Sequence, residues 1–186
     1  MLRFKQGDQA AFEQLVRRNT HKVHALVYRF LGSGDLADDL TQEAFLRVFR
    51  TVHRYVPAAK FSTWLYRIVA NLAFNVMRSR KRAHVYSMSA SGTEEEDGFE
   101  RNIPDDRPER PGEALDQDKL RQDIAAAVAQ LPENQRVALV LHQYEHKPYE
   151  DIAEVLDCTT MAVKSLLSRA RENLRRLLRE HLSEAP

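Results

Sequence analysis

Three sets of residues have the types and spacing to do chemistry. His142-Gln143-Tyr144-Glu145-His146 is a literal H-x-x-E-H pattern. In such a pattern two imidazoles one helical turn apart share a zinc ion and the carboxylate acts as base. A zinc hydrolase using His142, Glu145 and His146 is therefore one alternative reading. Against it, Lys147-Pro148 ends the helix at once, and His181 is the single later histidine, so no third ligand follows. Neither a metal nor a cofactor is expected. His21 and His24 lie on a helix without carboxylate company and read as surface residues. Cys158 has no neighbouring base or metal ligand and reads as a small buried residue.

The second set lies between Thr160 and Arg179. With Lys164 at zero and 100° per residue, Val163, Leu166, Leu167, Ala170, Leu174, Leu177 and Leu178 fall between roughly 200° and 320°. Lys164, Ser165, Ser168, Arg169, Arg171, Arg175 and Arg176 occupy the remaining arc. One face is core; the other is basic, with small hydroxyls near its start. A recognition helix needs this arrangement, because its first residues reach base edges while later Arg and Lys meet phosphates. The plain alternative is an ordinary solvated basic face.

The third set lies on an earlier helix. Trp64, Asn71, Asn75, Arg78 and Arg82 fall within about 80° of Arg67, and Leu65, Ile68, Leu72 and Val76 take the neighbouring arc. An aromatic beside amides and a column of arginines suits unstacked bases and a single-stranded backbone. The plain alternative here is that Trp64 packs on a neighbouring helix.

The elements that must position these sets are all helical. Phe12, Leu15, Val16, Val23, Leu26, Val27 and Phe30 recur at helical spacing until Gly32-Ser33-Gly34. Asp35 is the expected cap of the next helix, whose stripe is Leu36, Leu40, Ala44, Val48 and Val52, with Pro57 as its end. Ser62 or Thr63 should cap a third helix running to about Arg82. A second domain begins near Leu120: one helix carries Ile124, Val128 and Leu131 up to Pro132, and the next carries Val137, Leu139, Val140 and Leu141. A short helix after Pro148 buries Ile152, Ala153, Val155 and Leu156. Asp157-Cys158-Thr159 then makes the tight connector of a helix-turn-helix, with Thr159 or Thr160 capping the last helix.

The fold class expected is all-α: two small helical domains joined by a flexible acidic linker, the second a four-helix domain with a helix-turn-helix. Charge separates the parts. Residues 1–83 hold 15 Lys+Arg against 6 Asp+Glu, residues 84–118 hold 3 against 11, and residues 119–186 hold 10 against 10. Within residues 160–179, however, the count is 6 against 1, so the overall charge of +1 hides two basic surfaces either side of an acidic connector. Residues 84–118, with Glu94-Glu95-Glu96-Asp97 and three prolines, have too little apolar surface to offset their ordering entropy. A lone cysteine fits a reducing compartment, no apolar run approaches membrane-spanning length, and the N-terminus lacks a signal-peptide pattern. The cytoplasm is the expected location.

Four stretches together resemble the extracytoplasmic-function (ECF) sigma factors of bacterial RNA polymerase: Asp38–Phe45, Phe61–Ile68, Tyr149–Ala153 and Ser168–Arg171. The resemblance runs in order through nearly the whole chain. It implies one domain that opens and reads the minus-ten promoter element (residues 1–83) and one that reads the minus-thirty-five element as duplex (residues 119–186). It implies that Asp39, Gln42, Glu43, Phe45 and Arg47 dock the coiled coil of the polymerase's largest subunit. It also places Asn71, with Asn75 one turn on, on the melted strand, Asn71 beside an extruded base; Trp64, Arg67, Arg78 and Arg82, on the same helix face by spacing, would share that contact. Thr160, Lys164, Ser165, Ser168, Arg169, Arg171 and Arg175 would contact the upstream duplex. The connector resembles the family's segment that threads the RNA exit path. The partners implied are RNA polymerase core, promoter DNA and an anti-sigma factor on a separate protein, in a stress response. The short stretch before Gly7-Asp8 leaves room for a start further upstream. The nearer competing reading is a stand-alone helix-turn-helix regulator of duplex DNA, which leaves the Trp64–Asn75 face and the Asp39–Arg47 stretch without a role.

Overall fold

Short polar side chains cap three helices among the described residues, and left-handed residues close two. The computed structural model describes residues 1–57, 60–90 and 114–183. Helix α1 spans Leu2–Lys5 and helix α2 Gln9–Leu31. The Asp8 carboxylate accepts the Ala11 N–H at 3.0 Å, and that bond, aided by Arg3, holds its pKa below the ordinary carboxylate value. Gly32, left-handed at φ 70°, closes α2 with its N–H on the Tyr28 carbonyl at 2.7 Å.

Helix α3 spans Gly34–Thr51 and is capped by Ser33, whose hydroxyl accepts the Leu36 N–H at 3.4 Å. The expected cap, Asp35, sits two residues too late; in the first turn its charge meets the helix dipole instead. A single 3₁₀ turn, Val52–Arg54, follows, so the helix ends ahead of Pro57. Helix α4 spans Phe61–Ala90, starting before Ser62 and Thr63 and passing the expected end at Arg82. Helix α5 spans Ala114–Ala129, starting ahead of Leu120. Helix therefore covers both ends of the span 84–118 assigned to a linker. The rest of that expected linker, residues 91–113, lies outside the described residues.

Helices α6 (Glu133–Gln143), α7 (Tyr149–Leu156) and α8 (Thr160–Ser183) complete the second domain. Among the described residues there is no strand, and the all-helical expectation holds. Val23, Leu26, Phe30, Val48, Leu65 and Val69 seal the first core, and Val137, Val140, Leu141, Ile152, Val163 and Leu167 the second. Asn173 of α8 donates to Gln135 of α6 at 2.8 Å, holding the last helix in register.

The two domains dock on one another. Helix α4 packs on α6 and α7, and α2 on α5 and α6. The half-buried Arg136 guanidinium donates to the Phe30 carbonyl of α2 at 2.8 Å, to the Ala129 carbonyl, and to the Leu131 carbonyl at 3.2 Å. It thus satisfies carbonyls left over at two helix C-termini, one in each domain. Burial lowers its pKa, and the adjacent Glu133 carboxylate opposes that shift.

Candidate nucleic-acid interface

The turn between α7 and α8 is built from its own backbone. Asp157 adopts the left-handed region at φ 52° and ψ 51°, which Asp tolerates better than most residues. The Cys158 N–H reaches back to the Ala153 carbonyl at 3.0 Å. Thr159 is the cap of α8: its hydroxyl accepts the Ala162 N–H at 3.1 Å. Cys158 is half-buried, less than expected, and its thiol pKa is raised, chiefly by burial and then by Asp157.

Helix α8 meets the angular expectation residue by residue. Val163, Leu167, Ala170 and Leu177 are buried, and Leu166, Leu174 and Leu178 are half-buried. Thr160, Lys164, Ser165, Ser168, Arg169, Arg171, Arg175 and Arg176 are exposed. The Ser165 hydroxyl donates to the Met161 carbonyl at 3.1 Å, so its proton is committed to the helix.

On α4 the third set divides. Arg67, Asn71, Asn75, Arg78 and Arg82 are exposed, whereas Trp64 is half-buried. Its indole meets the Tyr55 ring edge-on at 5.4 Å and the Phe61 ring at 6.2 Å. Two of the arginines face the second domain. Arg67 lies 3.8 Å from Asp157 in the helix-turn-helix connector, and Arg78 lies 3.8 Å from Glu133. The same seam holds Lys60 at 3.6 Å from Asp151 and Lys147 donating to the Ser62 hydroxyl at 3.0 Å. Tyr66, 5% exposed, donates to the Glu145 carboxylate at 2.5 Å. Burial, reinforced by that carboxylate, raises the Tyr66 pKa well above the ordinary phenol value.

Helix α3 corrects one expectation. Asp39 and Gln42 are exposed, and Glu43 pairs with Arg47 at 2.8 Å, both half-exposed. Phe45, however, is only 7% exposed: it lies on the core side with Ala44 and Val48 and presents no free ring to a partner. The exposed apolar groups of this helix are Leu46 and Phe49, each at 49%. A helical wheel locates them, since both lie within about 80° of Asp39 and off the buried stripe. Phe49 also meets the Phe4 ring tilted and the Phe12 ring edge-on, at centroid distances of 5.5 and 5.3 Å.

The H-x-x-E-H pattern is not assembled as a metal site. Helix α6 ends at Gln143, and His146 has a left-handed φ of 49°, so the two histidines do not stand on successive turns. Glu145 is bound to Tyr66, and His142 Nδ1 lies 3.2 Å from the Lys147 carbonyl. Among the described residues no three His, Cys, Asp or Glu side chains form a metal-binding group. His24 does have carboxylate company, contrary to expectation: its Nε2 is 3.3 Å from Asp38, brought there by the packing of α2 on α3.

Two exposed basic or amide-bearing helix faces, one on each small helical domain, are what a DNA-binding protein of two modules would carry. Comparison with known proteins agrees. The family model "Sigma-70 region 2" matches residues 15–83, and "Sigma-70, region 4" matches residues 121–174. The chain is 36% identical to RNA polymerase sigma-H factor of Pseudomonas aeruginosa, covering 98% of this chain and 94% of that one. It is also 36% identical to ECF RNA polymerase sigma-E factor of Escherichia coli, covering 91% and 87%. In fold it is similar to the sigma factor RpoE of Bartonella quintana, solved in complex with the anti-sigma factor NepR: TM-score 0.69, 24% identity, 91% of this chain and 97% of that one. CnrH, solved with the cytosolic domain of CnrY, has a similar fold: TM-score 0.66, 23% identity, 95% and 92% covered. The chain belongs to the ECF sigma factors of bacterial RNA polymerase, and so directs promoter-specific initiation of transcription. Among the described residues no helix is long and apolar enough to cross a membrane.

Proposed function

We propose that the exposed face of α8, with Thr160, Lys164, Ser165, Ser168, Arg169, Arg171 and Arg175, reads the upstream promoter element in the major groove. The face of α4 bearing Arg67, Asn71, Asn75, Arg78 and Arg82 holds the melted downstream strand, with Trp64 supporting that helix from its half-buried position. The coiled coil of the polymerase docks on the rim of α3 made by Asp39, Gln42, Leu46 and Phe49, with Glu43 and Arg47 paired beside it. The regulator is an anti-sigma factor on a separate protein, as in the complex of RpoE with NepR. The chain acts in the cytoplasm as a binding subunit, and no chemical step is assigned to it.

The observation that carries this reading is the division of α8 into a buried or half-buried apolar stripe and an exposed, predominantly basic arc. The docked arrangement adds a condition. Elements centred at minus-thirty-five and minus-ten are about 25 base pairs apart, on the order of 80 Å of duplex. A compact chain of 186 residues has a radius of gyration of roughly 16 Å. The two faces reach both elements only after the domains separate, which frees Arg67 from Asp157 and Arg78 from Glu133. Added to core polymerase, the chain should yield a discrete footprint over both elements; Lys164→Ala and Arg169→Ala should weaken the upstream half, and Asn71→Ala should impair opening while sparing core binding. Loss of core binding together with opening in Asn71→Ala would count against the assignment of α4.

A further inference from the structure

The reading arc of α8 contains one exposed apolar residue among polar and charged neighbours. Met161, the second residue of the helix, is 70% exposed, more than any other large apolar side chain among the described residues. With Lys164 at zero it falls near 60°, between Ser168 near 40° and Ser165 near 100°, and about opposite the buried Val163 and Ala170. It therefore has no part in the core of its own domain. Its two flanking side chains are the smallest on the arc, so nothing bulky stands in front of its thioether. The Ser165 hydroxyl proton is turned back onto the Met161 carbonyl, so the surface around Met161 presents apolar rather than donor character.

The first turn of a recognition helix comes closest to base edges. In the major groove thymine alone among the natural bases displays a methyl group, and apolar side chains read it by contact. An unbranched, polarisable side chain in this position suits such a contact. The surrounding charges are mostly basic, Lys164, Arg169 and Arg171 against the single acid Glu172 about three turns on, and so favour nucleic acid as the occupant. We infer that Met161 is a specificity-determining residue that selects a thymine in the upstream element by contact with its 5-methyl group, beside the polar contacts of Lys164 and Arg169. This inference rests on the assignment of α8 as the reader of that element.

The test uses the chain bound to core polymerase. Duplex pools randomised over the upstream element are selected with the unaltered chain, with Met161→Ala and with Lys164→Ala. The selected sites are then remade with deoxyuridine in place of each thymine, which removes only the methyl group. The unaltered chain should prefer thymine at one position and lose about fourfold in occupancy with deoxyuridine there, equal to ~0.8 kcal/mol, the worth of one buried methyl-sized group. Met161→Ala should bind thymine and deoxyuridine equally at that position and keep its other preferences. The inference is overturned if Lys164→Ala alters the selected pool while Met161→Ala leaves the thymine preference and the methyl effect intact. It is also overturned if Met161→Ala loses affinity for polymerase core instead, which would make Met161 a protein contact. If neither substitution alters the pool, it is the reading role of α8 that fails.

Discussion

Replacing Tyr66 with Phe removes one hydroxyl from the seam between the domains. That hydroxyl donates to Glu145 at 2.5 Å from a side chain only 5% exposed, so the bond is short, shielded and made to a charged acceptor. Hydrogen bonds of this kind contribute about 1.5–3 kcal/mol, and Tyr66→Phe also leaves the Glu145 carboxylate without its donor. At 1.4 kcal/mol per decade, the ratio of docked to separated chain should fall about ten- to hundredfold. Dyes at the exposed positions Arg18 and Glu172, in a Cys158→Ser background, report the separated fraction as a longer distance. While the docked form predominates, the affinity of the chain on core polymerase for duplex carrying both promoter elements should rise in proportion to that fraction. Glu145→Gln should act through the same bond, so the effects of the two substitutions should not add. An unchanged distance distribution and unchanged duplex affinity in a folded Tyr66→Phe protein would refute the role given to this contact. The pH dependence has a definite sign. Because the folded-state phenol pKa is raised, its contribution is complete below about pH 10 and is lost as pH climbs through the raised value.

Other substitutions separate packing from contact. Phe45→Ala should destabilise the first domain by about 3–5 kcal/mol in chemical denaturation, since its ring is buried. Leu46→Ala should leave stability nearly unchanged and weaken binding to polymerase core, measured by competition for core with an unaltered chain. Lys164→Ala or Arg169→Ala should cost about 1–3 kcal/mol at one position of the upstream element if the contact is to a base. If the contact is to phosphate, the loss should be uniform across sequences, with a salt slope shallower by about one. Alkylation of Cys158 should be slow below about pH 8.5, because its raised pKa keeps the thiol protonated; Asp157→Asn, removing the smaller cause, should speed it modestly.

The helices and the division of α8 were legible because a 3.6-residue period forces apolar and charged residues onto opposite faces. Boundaries were less so. Ser33 and Asp35 are both good caps, and only the path of the chain leaving Gly32 decides that Ser33 caps α3. Phe45 and Leu46 are adjacent and both apolar. Which of them is buried depends on where α2 and α4 approach α3, and that is a tertiary fact. The docking seam had no signature in the sequence at all. Its members, Tyr66 with Glu145 and Arg136 with Phe30, are 79 and 106 residues apart, and each residue alone reads as an ordinary surface or motif position. Met161 falls on the reading arc by helical spacing alone, and the structure adds that its side chain is 70% exposed.

The central claim is that the two modules act together, on polymerase, to choose and open a promoter. In vitro transcription with purified core polymerase on a genomic fragment library, followed by mapping of transcript ends, tests it directly. The expected result is discrete start sites that need both the chain and core, share paired upstream and downstream elements, and disappear with Asn71→Ala, while the chain alone binds those duplexes weakly. Tight, sequence-specific duplex binding by the chain alone, with no start sites when core is added, would contradict it and favour a stand-alone regulator.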